Sequence, residues 1–133
     1  MGRKKSDGRE ERDLEKRLFE FALRVVRLCQ KLDEKGGVAR GIGYQLLRSG
    51  TSMGANYEEA QGAQSRADFV AKCSIVLKES RETRYWLRLL AASGVVANRL
   101  LRDLLDEADQ LTRIMGALVK KTRSHTLSRS PTS

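Results

Sequence analysis

Residues 97–118, ANRLLRDLLDEADQLTRIMGAL, decide the architecture. Ala97, Leu101, Leu104, Ala108, Leu111, Met115 and Leu118 recur at alternating steps of four and three, while Arg99, Arg102, Asp106, Asp109 and Arg113 run along another side. Only an α-helix gathers such positions onto one face, and this strict spacing is that of helices packed side by side. The stretch predicts a bundle helix.

Three more helices follow on working backwards along the chain. Ser65 followed by Asp68 has the form of an N-cap with an acid at the third helical position, and it opens a third helix that Gly94 stops after Ser93. On that helix Phe69, Cys73, Val76, Ser80, Thr83, Leu87 and Leu90 share one line, and Ile75, Glu79, Glu82, Trp86 and Leu89 share the next. Two carboxylates therefore stand between apolar neighbours, and partial burial is expected for both. A second helix is expected over 38–63 with Ala39, Ile42, Leu46, Ser49, Met53, Asn56 and Ala60 inward. Gly43, Gly50 and Gly54 lie beside that line. A glycine inside a helix costs about 1 kcal/mol relative to alanine, so their recurrence predicts close approach of a neighbouring helix. From Asp13 the first helix carries Leu14, Leu18, Phe21, Val25, Leu28 and Leu32, with Phe19, Ala22, Val26 and Cys29 widening the stripe, until Gly36 and Gly37 end it.

Four helices with short connections predict an all-α, antiparallel up-down-up-down four-helix bundle over 13–121, between a basic flexible N-terminal arm (1–12) and a flexible basic C-terminal tail (122–133). The first and third helices are apolar over two adjacent lines, wider than one core requires. The surplus predicts burial against copies of the same chain, hence a homo-oligomer.

Composition agrees and excludes other classes. The 133 residues are 5% aromatic and 32% charged with a single proline, which rules out an all-β domain. Cys29 and Cys73 are far apart and His125 falls in the tail, so neither a zinc site nor Ser-His or Cys-His catalysis is expected, and the cysteines are expected in the core. Gly41 and Gly43 have no preceding strand and no Gly-Lys-Ser/Thr beside them, which removes a phosphate-binding loop. No segment has the length and apolarity of a membrane span, and a cytoplasmic chain with reduced thiols is expected.

Charge gives the first functional clue. Lys and Arg number 26 against 17 Asp and Glu, a net charge of +9 that favours a polyanionic partner such as DNA or RNA. Much of the excess lies on the two ends: Arg3, Lys4, Lys5, Arg9 and Arg12 in the first arm, and Lys120, Lys121, Arg123 and Arg129 in the last fifteen residues. Within the helices two cationic rows stand out at spacings of three and four. Arg24, Arg27 and Lys31 form one on the first helix, and Arg81, Arg84 and Arg88 form the other on the third. Either row could face a phosphate backbone, and the first is the stronger candidate. The competing expectation pairs these cations with acids, Arg24 with Glu20 and Arg84 across a subunit contact. Tyr85 and Trp86 are expected to pack rather than to stack on bases.

The segments RSGTSMGANYEEAQGAQSRADF (48–69) and LKESRETRYWLRLL (77–90), with the opening DLEKRLFEFALRVVRLC (13–29), resemble the bacterial four-helix-bundle family also called the ribosomal-RNA intervening-sequence proteins. The likeness spans 13–121. It implies a homopentamer, often barrel-shaped with a central channel, in a family partly named for reading frames inside insertions in large-subunit ribosomal RNA genes. A more distant branch, the accessory variability determinants of diversity-generating retroelements, implies binding to nucleic acid and to a reverse transcriptase.

The family pattern falls on Arg48, Ser49, Ser52, Asn56, Tyr57, Glu59, Ala60, Lys78, Glu79, Glu82, Thr83, Trp86 and Leu87 of this chain. Ser52, Asn56 and Glu59 of the second helix are expected to face Glu79 and Glu82 of the third, with Arg48 or Lys78 compensating the carboxylates, because an unpaired buried charge is costly. A divalent metal held by Glu59, Glu79 and Glu82 is the enzymatic alternative, although a di-iron bundle wants Glu-x-x-His pairs. The sequence reading is a non-enzymatic homo-oligomer without cofactor that binds nucleic acid through charge; the resemblance implies that the oligomer is a pentamer and an accessory to a reverse transcriptase. Its rival is a structural or protein-interaction assembly encoded in a ribosomal RNA gene insertion.

Overall fold

A computed structural model of the chain describes the backbone of residues 2–128 and the side chains of residues 8–124. Helices α1 (Gly2–Lys35), α2 (Gly37–Gln61), α3 (Arg66–Ser93) and α4 (Asn98–Ser128) span most of the described residues, with no strand among them. Two junctions follow the expected chemistry. Gly36 and Gly37 turn the chain between α1 and α2 at φ of 71° and 56°, values that L side chains rarely adopt. Ser65 Oγ accepts the Asp68 amide at 3.0 Å, and Asp68 Oδ2 accepts the Gln64 amide at 3.3 Å, so the start of α3 is capped from both sides.

The helix ends reach further than the apolar pattern does. α1 begins at Gly2 rather than Asp13, and α4 continues to Ser128. No proline or glycine pair interrupts either extension, so the i to i+4 ladder carries on where apolar periodicity has stopped. The side chains of Arg3, Lys4, Lys5 and His125, and all of 129–133, lie outside the described residues.

Packing proceeds in chain order, α1 on α2, α2 on α3 and α3 on α4, while α1 meets α4 sparsely. Leu18 meets Gly54, Val25 meets Gly50 and Leu32 meets Gly43, so positions descend along α2 as they rise along α1. Between α3 and α4 the same reversal holds, with Ser74 at Arg123 and Arg84 at Asp109. The core is one cluster in which Leu18, Phe21, Val25, Leu32, Leu46, Met53, Leu87, Leu90 and Leu111 are fully buried. Each such side chain contributes about 1.5–3 kcal/mol through removal from water.

Two inward lines differ by one position from the expectation. On α2, Tyr57 is buried in place of Asn56, which is only partly covered. On α4 the buried line passes through Leu101, Leu104, Ala108, Leu111 and Met115 and then moves to Val119 instead of Leu118, while Ala97 precedes the helix and is exposed. An α-helix turns every 3.6 residues, so a face laid out at 3.5 drifts by roughly 20° per heptad. The expected close approach at the α2 glycines is present, and α1 makes it.

Candidate nucleic-acid interface

The α2–α3 seam gathers the polar residues first. Arg48 bridges Glu79, at 3.4 Å, and Glu82, and Trp86 Nε1 donates to Glu82 Oε2 at 3.0 Å. Glu79 is 8% exposed, so without the guanidinium its carboxylate would be desolvated and uncompensated. One turn inward Thr83 Oγ1 donates to the Glu79 carbonyl at 2.8 Å and lies within hydrogen-bond distance of Ser49 Oγ at 3.0 Å, where it is free to accept. Buried hydroxyls thus satisfy one another where two helices meet.

The expected network is present in part. Arg48, Glu79, Glu82 and Trp86 come together. Ser52 and Asn56 instead pair within α2, where Asn56 Nδ2 donates to the Ser52 carbonyl and hydroxyl oxygens, both at 2.8 Å. Glu59 and Lys78 are exposed and join no ion pair or hydrogen bond with the cluster among the described residues. Rotation of α2 that buries Tyr57 carries Glu59 to the outside. Glu59, Glu79 and Glu82 therefore do not form a three-carboxylate set, and no group of three or more His, Cys, Asp or Glu is placed to hold a metal ion among the described residues.

The two cationic rows have different surroundings. Arg24, Arg27 and Lys31 line a concavity of about 160 Å³ together with Leu28, Leu100 and Leu104, and none of the three forms an ion pair among the described residues. Glu20, the partner expected for Arg24, lies 3.9 Å from Lys16 instead. On α3, Arg84 pairs with Asp109 of the same chain at 3.7 Å, so no second copy is needed to hold it. Arg81 and Arg88 are exposed. Tyr85 and Trp86 meet edge to face at 5.1 Å, the geometry of aromatic packing.

Arg102 is the residue that sequence reasoning assigned merely to a polar face. It lines a second concavity, of about 400 Å³, with Arg88, Ala91, Asn98, Leu101 and Leu105. Its only sequence signal was a base early in α4 with no acid in the first turn. At the opposite end of the molecule a cavity of about 880 Å³ is rimmed by Glu10, Glu11 and Asp13 as well as by Arg66 and Lys121. That mixed rim offers a polyanion no net attraction.

Both cysteines lie in the core. Burial pushes the Cys29 and Cys73 thiols up to about 11, and Cys29 Sγ donates to the Gly43 carbonyl at 3.2 Å. Both are core residues, not nucleophiles. No helix is long and apolar enough to cross a membrane among the described residues.

A four-helix fold with an arginine-bridged carboxylate pair between α2 and α3 defines a small all-helical protein of the bundle class. The chain belongs to the 23S rRNA-intervening sequence protein family, whose pattern matches residues 10–117. It is similar to a solved protein of unknown function from the S23 ribosomal protein family of Bacteroides thetaiotaomicron, with 38% identity and a TM-score of 0.74 over 80% of this chain and 98% of that one. No curated protein matches.

Proposed function

We propose that this protein is a non-enzymatic, nucleic-acid-binding assembly in which an antiparallel up-down-up-down bundle repeats as a homopentamer. The observation that carries the reading is the row Arg24, Arg27 and Lys31: three cations on one groove with no acid paired to any of them among the described residues. An uncompensated row of this kind attracts phosphate without reading sequence, and repetition in a ring multiplies weak contacts into avidity. The reversed order of helix contacts supports the antiparallel arrangement. Phe19, 70% exposed, and the half-exposed Ile75 and Leu89 give the bundle apolar area to bury against further copies. The family name points to an RNA context, and in the fuller form of the reading the ring serves a reverse transcriptase as an accessory.

Electrophoretic mobility shifts with unrelated RNA and DNA at two salt concentrations test it. Binding that weakens steeply as salt rises, and is lost in an R24Q/R27Q/K31Q variant, is the expected result. Absence of any complex at low salt removes the reading and leaves the exposed apolar face, a protein-interaction surface, as the better explanation of the molecule.

A further inference from the structure

The first turns of α4 separate two cationic grooves. On one side lies the α1 groove, with Arg24, Arg27 and Lys31 above a floor of Leu28, Leu100 and Leu104. On the other lies the α3 groove, where Arg88 and Arg102 stand above Ala91, Leu101 and Leu105. No acid lines either groove, although 17 Asp and Glu are spread over the chain. Arg99 is exposed on the helix between them, and Asp103 and Asp106, also exposed, line neither. The N-terminus of α4 adds its own partial positive charge with no acid in its first turn to offset it. A cation of α3, far in sequence from the α1 row, thus completes the same end of the bundle.

We propose that a nucleic-acid backbone crosses the N-terminal half of α4, giving phosphates to Arg24, Arg27 and Lys31 on one side and to Arg88 and Arg102 on the other. The proposal rests on the nucleic-acid reading above and adds the second groove to it. A helix with its side chains is about 10–12 Å across, a span of the order of the B-form major groove, so contacts on both flanks are within reach of one duplex as well as of a flexible single strand. Arg88 and Arg102 form no ion pair among the described residues, so neutralising them removes field without breaking a structural contact.

The experiment measures the salt dependence of binding to a single-stranded RNA 20-mer and to a DNA duplex of equal length. It compares the full chain, an R88Q/R102Q variant and the R24Q/R27Q/K31Q variant. Each lost phosphate contact lowers the slope of log K against log salt by about 0.7 for a single strand and about 0.9 for a duplex. R88Q/R102Q is therefore expected to lose about 1.4 or 1.8 from the slope per groove engaged, and about 25-fold in single-strand affinity at 0.1 M salt. The probe on which the loss reaches its own two-contact value, about 1.4 for the single strand or about 1.8 for the duplex, is the form of nucleic acid that uses the second groove. If R88Q/R102Q keeps the parent slope and affinity on both probes while the α1 variant loses them, α1 binds alone and the proposal is overturned. If the parent binds neither probe, the underlying nucleic-acid reading fails with it. Circular dichroism and solution mass of both variants, unchanged from the parent, confine the effect to charge.

Discussion

Gly50 of α2 lies so close to Val25 of α1 that a Cβ built on the glycine would stand 2.9 Å from Val25 Cγ1 and 3.1 Å from Cγ2. Valine is branched at Cβ and has essentially one χ1 in a helix, so the methyls cannot swing aside. Gly50→Ala gains about 1 kcal/mol of helix propensity but inserts a methyl into a full site, at a cost of typically 1–3 kcal/mol. The expected net is a loss of about 1 kcal/mol in urea unfolding. Gly41→Ala is the control: nothing lies within 4 Å of the added Cβ, and a gain of up to about 1 kcal/mol is expected. Equal effects at the two positions would mean that α1 does not rest on α2 at Gly50. The V25A/G50A pair should couple favourably in a double-mutant cycle.

Arg48 holds two carboxylates, and their burial differs. Glu79 keeps 11% of its side-chain exposure and Glu82 keeps 29%. Arg48→Met leaves Glu79 without a counter-charge inside the seam, and a loss of about 1–3 kcal/mol is expected, less than for a fully buried pair because Arg48 is itself half-exposed. Glu82→Gln should cost less than about 1 kcal/mol, since an amide oxygen still accepts from Trp86 Nε1 and Arg48. Trp86 is the chain's single tryptophan, so its emission follows both experiments. A loss for Glu82→Gln that exceeds the loss for Arg48→Met would contradict the assignment of the buried charge to Glu79.

These two cases show what the linear chain disclosed. The spacing of Glu79, Glu82 and Trp86 along α3 placed them on one line, and the line is real because α3 carries large side chains that fix its orientation. On α2 the glycines and small residues left the rotation open by about 100° per residue, and Tyr57 took the inward position assigned to Asn56. Glu59 then left the seam. Lys78 is exposed because Arg48 reaches both acids from the facing helix. The role of Arg102 was illegible for another reason: nothing within α4 tells which residues of α1 and α3 flank it, and both grooves exist only once three helices are packed.

Cys29 and Cys73 predict a pH effect of definite sign. Burial raises both thiols from 9.0 to about 11, so the native state keeps its protons where the unfolded chain has released them. Stability from this source is fully present below pH 9 and is lost as pH rises from about 9 to 11. Burial likewise raises the Tyr57 phenol, which steepens the alkaline loss. Urea midpoints measured from pH 7 to 11 should decline through that window, and iodoacetamide at pH 8 should label the native thiols on the order of 100 times more slowly than the unfolded ones. Rapid native labelling would show that the cysteines are not where the core places them.

Arg17 governs the loosest seam. α1 and α4 meet sparsely, and across the gap Arg17 Nε donates to Glu107 Oε2 at 3.0 Å and Nη2 to Glu107 Oε1 at 2.7 Å, with a further bond to Gln110 at 3.1 Å. The hydrogen bond to Glu107 raises the guanidinium pKa above its ordinary value, against the cost of burial. A bidentate fork restrains direction as well as distance, which a single contact does not, so it fixes how far α4 can swing from α1. Arg17→Gln keeps at most one of those bonds. Hydrogen exchange should then quicken over Asn98–Ser128 and over the facing stretch of α1, while α2 and α3, packed on each other along their length, keep their protection. Because α4 borders both cationic grooves, a looser α4 should also weaken nucleic-acid binding with no cation of either groove removed. Uniform acceleration in all four helices would instead mean that Arg17 supports the whole fold, and unchanged exchange that the seam closes without it.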